Sequence, residues 1–217
     1  MRIQESSWTW PQSRGSQRNY LATLKLTSED RTLNRSALGK IVHVVHQNTD
    51  IGNIDRITTC GSVGKGTACT NSSDLDLVVY LRDVSPTAIS SCIQRYLNEI
   101  KDKLDVQYPG TRDENWYQKF SLRYNIKGME IDVLIGAVDV RPMDFLPVQD
   151  ELTRSYMSAS VSHMALNFIK KQSVLYKGLV QVLKDWRDSY DWTGKKPISY
   201  LLEVLLLEAF RRQKKVW

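Results

Sequence analysis

The chain has 217 residues, 41% of them hydrophobic and 25% charged, and a formal net charge of +6. This composition excludes a disordered or fibrous chain and leaves room for one sizeable core or two small lobes; the basic balance is compatible with a polyanionic partner such as nucleic acid or nucleotide phosphates without requiring one. Cys60, Cys69 and Cys92 are odd in number and sit at no metal-ligand spacing, so neither a disulfide framework nor a zinc site is indicated and a reducing compartment fits best.

Residues 1–27 are largely polar, with Trp8 and Trp10 among them, and read as a loosely held lead-in. They contain no apolar leader segment, and no later apolar run approaches a membrane span. The expectation is a soluble cytoplasmic protein, with the nucleus as the alternative, and no membrane partner. From Ser28, a good N-cap, Leu33, Ala37, Leu38, Ile41, Val42 and Val45 recur at helical spacing to about Gln47, with Arg31, Arg35 and Lys40 on the outer side. Residues 54–59, IDRITT, read as a short strand, and LDLVVYL from Leu75 to Leu81 reads as a well-buried one. Ser85-Pro86 opens a helix with Ile89, Ile93, Leu97, Ile100 and Leu104 inward. Phe120, Leu122, Tyr124 and Ile126 then alternate with polar residues, Lys127-Gly128 offers a turn, and MEIDVLI follows, which together predict a β-hairpin.

After Asp139 the proline-containing stretch RPMDFLPVQDELTRSYM reads as a crossing into a helical lobe. Leu175, Leu179, Val182, Leu183 and Trp186 mark a helix ending near Tyr190, and Pro197 starts the last one. There ISYLLEVLLLEAF is apolar nearly all round, which predicts central burial.

The segment GSVGKGT, from Gly61, resembles a phosphate-binding P-loop only superficially. That motif needs Gly, four residues, then Gly-Lys-Ser/Thr opening a helix. Here Gly66 follows Lys65, Thr59 stands where the first Gly belongs, and a strand comes next. Taken alone, GSVGKG is equally well a ligand-free turn.

The strand behind it changes the balance. Residues two apart on a strand share a face, so Asp74 and Asp76 project side by side at the start of LDLVVYL. Such a pair repels itself unless a cation intervenes, and hard oxygen donors suit Mg²⁺ with nucleotide phosphates completing its shell. The plainer alternative is a capping Asp74 beside an exposed Asp76. Asp132, inside the apolar MEIDVLI, is the third acid, since a lone carboxylate there needs a partner. If its strand lies beside LDLVVYL, three carboxylates converge. Glu130 shares the face of Asp132 but sits at the strand mouth and is the weaker candidate. Three aspartates behind a Gly-Ser loop make the parts of a two-metal nucleotidyl transfer site.

These residues resemble the DNA polymerase β-like nucleotidyltransferase superfamily, whose signature is Gly-Ser, then Asp-x-Asp, then a later Asp. Within it, GSVGKGT, SSDLDLVVYL, GMEIDVLIGAVD, VLKDW and PISYLLEVL follow the order and wording of the 2'-5'-oligoadenylate synthases, from about residue 30 to 210. The resemblance implies an α+β nucleotidyltransferase fold, with a mixed β-sheet N-terminal lobe (28–140) and a helical C-terminal lobe (141–217) that stops at Trp217, short of the family's last helices. It implies Mg²⁺ at Asp74, Asp76 and Asp132, donor ATP phosphates at Gly61 and Ser62, and the donor triphosphate also at Lys184, Ser199 and Tyr200. From the residues alone, without the aspartates, Lys184 reads as a solvated helix lysine and Tyr200 as a core aromatic.

The sequence departs from the family in places. Ser199 stands where many synthases carry Gln, Thr59 where a double-stranded-RNA-binding lysine is expected, and Leu166 where an arginine is. Lys170 is retained and Lys40 can add to the RNA contact. His43 and His46 lie one helical turn apart with no third ligand and read as surface residues. The function implied is template-independent synthesis of 2'-5'-linked oligoadenylates from ATP and an acceptor nucleotide, with pyrophosphate release and double-stranded RNA as activator. The alternatives are a cyclic-dinucleotide synthase of the same superfamily, for which three scattered cysteines give no zinc insertion, or a nucleic-acid-binding relative without catalysis. The sequence does not define an oligomeric state.

Overall fold

A computed structural model describes residues 9–47, 53–70, 74–85, 88–116 and 120–213. Trp8, Pro86, Trp217 and the Ser72-Ser73 pair preceding Asp74 lie outside the described residues. The chain forms two compact units, one of Ser28–Lys65 and Ser73–Lys170, the other of Met1–Thr27, Gly66–Ser72 and Lys171–Trp217. The division falls elsewhere than at residue 140, because the helix after the proline-rich stretch packs on the sheet.

The first unit is built on a four-stranded mixed sheet in the order β1-β2-β4-β3. Strand β1 (Ile54–Thr59) runs antiparallel to β2 (Leu75–Leu81), and β4 (Met129–Ala137) runs parallel to β2 and antiparallel to β3 (Ser121–Ile126). One face carries α2 (Ser28–Gln47) and α4 (Ile89–Gln107), which bury Ile41, Val45, Ile93, Leu97 and Ile100 against Leu75, Leu77, Val79, Val133 and Ile135. The other carries α5 (Glu151–Lys170), where Val78, Tyr80 and Cys60 meet Ala159 and Leu166. Being covered on both faces explains why β2 reads as a continuous apolar run rather than an alternating one. Gly136 lets α5 come close, since a Cβ there would lie 3.1 Å from the Ser160 Cα, and the Ser160 Oγ accepts a 2.9 Å bond from the Ala137 N–H.

The hairpin turns at Lys127 and Gly128, both left-handed with φ of 57° and 79°, the geometry that matches the twist of the flanking strands. The inward faces of α2 and α4 follow their sequence periodicity, except that Leu33 is exposed. His43 and His46 are exposed, as their spacing without a third ligand suggested. The glycine-rich stretch is not an open loop, because Gly61–Lys65 form the short helix α3.

In the second unit the lead-in contains a helix, α1 (Arg14–Thr23), closed by a Ser13–Ser16 capping box that its polar composition concealed. Its Leu21 lies against Gly178 of α6 (Val174–Ser189), and the Tyr20 hydroxyl donates to Asp185. The inward face of α6 is not the purely apolar one expected. Leu175 is exposed, whereas Gln181 and Lys184 are buried with Tyr176, Val180 and Val182. The polar pair is drawn in by backbone carbonyls of the neighbouring segment: Gln181 Nε2 donates to Ala68 at 2.6 Å and Lys184 Nζ to Thr67 at 3.0 Å. Helix α7 (Ser199–Gln213) packs on α6 through Leu202, Glu203 and a Tyr176–Phe210 edge contact. Central burial of its whole surface is not observed, since Ile198, Tyr200, Leu201, Val204 and Leu205 are exposed; with α6 on one flank, one face of the helix is covered. No described helix is long and apolar enough to cross a membrane.

Leu77 is fully buried at the centre of the larger core. Leu77→Ala is expected to cost about 3 kcal/mol of unfolding free energy, from lost apolar burial plus the cavity left behind, measured by urea titration.

Candidate active site

The acids owe their position to strand register. In the parallel β2–β4 pair, Asp76 lies directly beside Asp132, and Asp74 is two residues earlier than Asp76 on the same chain. All three therefore stand on the sheet face that carries α3 and α5, at the mouth of the strands. The arrangement on which convergence depended, β4 beside β2, is present. Asp74 is half-exposed, and Asp132 is 9% exposed.

Helix α3 closes one side. Gly61 adopts φ +54°, and a Cβ there would fall 1.6 Å from Asp76 Oδ2 and 3.1 Å from its Cβ. Only a residue without a side chain lets this backbone lie against the Asp76 carboxylate. Gly64 plays a related part, since a Cβ would be 2.2 Å from the Thr59 carbonyl oxygen, and its N–H donates to the Cys60 carbonyl at 2.9 Å. Ser62 lies within the same turn and is half-buried. The first turn of such a helix presents N–H groups without intrahelical acceptors.

Arg123 of β3 supplies the counter-charge. Its guanidinium holds Asp132 through two bonds, Nε to Oδ1 at 2.6 Å and Nη2 to Oδ2 at 2.7 Å, and reaches Asp74 Oδ2 at 3.4 Å and Glu130 Oε2 at 3.2 Å. The Trp116 ring lies 3.6 Å from the guanidinium carbon and backs it. Arg123 was not among the residues singled out from the sequence, nor was Trp116. The hairpin turn contained the signal, because counting outward from Lys127-Gly128 pairs Ile126 with Met129 and brings Arg123 opposite Asp132.

Crowding shows in the proton affinities. Burial, then the charges of Asp132 and Asp74, push the Asp76 carboxyl up to about 6, against a smaller opposing pull from Lys65 and Arg123. The Asp74 carboxyl is also raised, by burial and by Asp132 and Glu130, with Arg123 pulling the other way. The hydrogen bonds from Arg123 to Asp132 hold the guanidinium more firmly protonated than usual. Burial and the Asp76 charge push the neighbouring Cys60 thiol up to about 11, which leaves it unreactive.

A divalent cation fits this donor set chemically: carboxylate oxygens only, like-charged, and short of positive charge at Asp76. Among the described residues no three acidic, histidine or cysteine side chains are already gathered into a metal cage. Asp74, Glu130 and Asp132 are held by Arg123 instead, while the Asp76 carboxylate lies against Gly61.

The other expected site residues are placed as follows. Lys184 is buried and donates to the Thr67 carbonyl, Ser199 Oγ accepts from Arg187 Nη1 at 3.0 Å, and Tyr200 is exposed rather than a core aromatic; all three belong to the helical unit. Lys40, on α2, holds its ammonium 5.5 Å from the Tyr108 ring centre, and Lys170 ends α5 in the sheet unit.

The raised Asp76 value carries a stability consequence. Between its ordinary 3.8 and about 6 the folded state binds more protons than the unfolded one, so stability falls as pH rises through that window and the deficit is complete above it. In metal-free protein Asp76→Asn is expected to raise unfolding free energy by about 1–2 kcal/mol at pH 7.5 and to have little effect near pH 4, followed by thermal melts across pH. Gly61→Ala is expected to destabilise the protein by about 2 kcal/mol in the same assay, through left-handed strain and displacement of Asp76.

Residues 40–174 match the family described as Nucleotidyltransferase domain. The chain is 25% identical over 191 residues to 2'-5'-oligoadenylate synthase 1A of Mus musculus, a match that takes in 73% of this chain and 52% of that protein; the chain thus spans about half the length of this relative. Its fold is similar to the E. coli MS115-1 CdnC:HORMA-deltaN complex, with a TM-score of 0.63 at 15% identity over 90% of this chain and 63% of that one. It is similar also to the STING-associated CdnE c-di-GMP synthase from Capnocytophaga granulosa, with a TM-score of 0.62 at 18% identity over 86% and 61%. An aspartate on β2 and another just before it, a third beside them on β4, a glycine turn fitted to the middle carboxylate, and a family match across more than half the length together show that the chain belongs to the nucleotidyltransferase domain family.

Proposed function

We propose that this protein is a template-independent nucleotidyltransferase that joins ATP into 2'-5'-linked oligoadenylates with release of pyrophosphate. The observation that carries this reading is the lateral placement of Asp76 and Asp132 with Asp74 two residues before, in a chain whose sequence is similar to an oligoadenylate synthase. Asp74, Asp76 and Asp132 are the residues that would hold Mg²⁺. Bound there, a metal pair neutralises phosphate charge and activates a hydroxyl nucleophile.

The chain's own residues then bind and orient. Gly61 and Ser62 offer backbone N–H groups and a hydroxyl to the donor phosphates, and Lys184, Ser199 and Tyr200 are assigned to the triphosphate. Asp132 accepts the proton of the acceptor 2'-hydroxyl as it attacks the α-phosphate in line with the departing pyrophosphate. Catalysis of this type rests on positioning and charge stabilisation. Lys40 and Lys170 are assigned to double-stranded RNA, the proposed activator.

A second reading, cyclic-dinucleotide synthesis, is favoured by the fold likeness to the CdnE c-di-GMP synthase. Product chemistry separates the two. Incubated with ATP and Mg²⁺, with and without double-stranded RNA, the protein is expected to give a ladder of oligomers that resist a 3'-5'-specific nuclease and vanish in Asp74→Ala. A single phosphatase-resistant species would support the cyclic product. ATP left untouched under every condition, with RNA still bound, would point to a binding protein without catalysis.

A further inference from the structure

We propose that Arg123 is a built-in competitor for the metal site: its guanidinium stands in for the cation among Asp74, Asp132 and Glu130, and holds down the affinity for a divalent ion until it draws back from Asp132. This rests on the reading of Asp74, Asp76 and Asp132 as metal ligands.

Three features of the geometry carry it. Both Asp132 oxygens are engaged, at 2.6 and 2.7 Å, by two different nitrogens of one guanidinium. Charge-assisted forked bonds of this length are among the strongest a side chain makes. An Mg²⁺ ligand oxygen must approach to about 2.0–2.1 Å in near-octahedral geometry, so a metal at Asp132 is left with the lone pairs the fork does not use and must sit beside a fixed positive charge. The guanidinium is also not a surface group swinging past. Its side chain is 16% exposed, Trp116 backs it at 3.6 Å, and antiparallel pairing fixes its backbone opposite Asp132.

Charge makes the competition unequal. Asp74, Asp76, Glu130 and Asp132 face one another with Arg123 and Lys65 as the opposing cations. In the metal-free protein Arg123 is what makes that cluster tolerable. Once a divalent ion arrives, the same guanidinium is a like charge a few ångströms away. Arg123 is thus a positioning residue that sets how tightly the acids take a metal. A wedge of space of about 450 Å³ lined by Gly110, Thr111, Arg112, Asp113, Asn125 and Glu130 adjoins it and gives the displaced guanidinium somewhere to go.

The test uses Mn²⁺ as probe, with free Mn²⁺ counted by electron paramagnetic resonance in the absence of nucleotide. Arg123→Gln is expected to bind Mn²⁺ about tenfold more tightly than wild type, and Arg123→Lys, which restores charge without the fork, to fall between them. Arg123→Gln binding no tighter than wild type overturns the proposal. Asp76→Asn distinguishes this from failure of the underlying site assignment: if it binds Mn²⁺ as wild type does, the aspartates are not the metal ligands. A wild-type measurement guards against a variant that does not fold. The Nε–H resonance of Arg123 in arginine-labelled protein is expected to shift and lose its exchange protection in step with Mg²⁺ titration, and a resonance unmoved at saturating Mg²⁺ overturns the proposal equally.

Discussion

Like charges forced into adjacency by strand geometry are the constraint around which the sheet unit is organised. Neighbouring strands lie about 4.8 Å apart, so once β2 and β4 pair in parallel with Asp76 level with Asp132, the separation of their backbones is fixed before any side chain chooses a rotamer. The apolar residues that follow on each strand lock that register through two cores, one on each face. The carboxylates therefore cannot drift apart to relieve repulsion. The site instead relieves it by a forked arginine, a nearby lysine, and a proton that Asp76 retains to a higher pH than usual.

Much of the sheet unit was legible in the sequence. The unbroken run LDLVVYL announced a strand buried on both sides, the 3.6-residue spacing of Ile89 to Leu104 announced α4, and the two-residue turn at Lys127-Gly128 announced a hairpin. The aspartates stood out because charge inside an apolar strand requires a reason. Arg123 was hidden by an opposite logic: a polar residue on the polar face of an alternating strand requires none. Its meaning exists only once β3 and β4 are placed side by side. The same limit applies to Gly61, whose role depends on the Asp76 carboxylate lying against it across a fifteen-residue separation in sequence.

The helical unit was read less well, for physical reasons that differ by element. The polar surface of α1 concealed a helix closed by its own serines. On α6, apolar periodicity pointed to Leu175, which is exposed, whereas Gln181 and Lys184 are buried beside Tyr176, Val180 and Val182, because backbone carbonyls of Thr67 and Ala68 had to be satisfied. Unsatisfied carbonyls in a protein interior outweigh the preference of amide and ammonium groups for water. For α7 a composition rich in leucine says that burial is favourable, not which neighbour provides it, and most of its apolar residues face outward.

The turn between β3 and β4 gives the fold an uneven tolerance of gene-level change. Substitutions at Lys127 and Gly128 meet a local demand for left-handed backbone, which several residue types can satisfy at modest cost. A change of length is another matter. Strand side chains alternate, so one inserted or deleted residue that slipped the hairpin by a single step would send Tyr124 toward the acids and drive the Arg123 guanidinium into the apolar core. The letters of that turn can thus change at modest cost, but hardly their count. The chemistry of the acid cluster is tied to the spelling length of two residues that touch none of it.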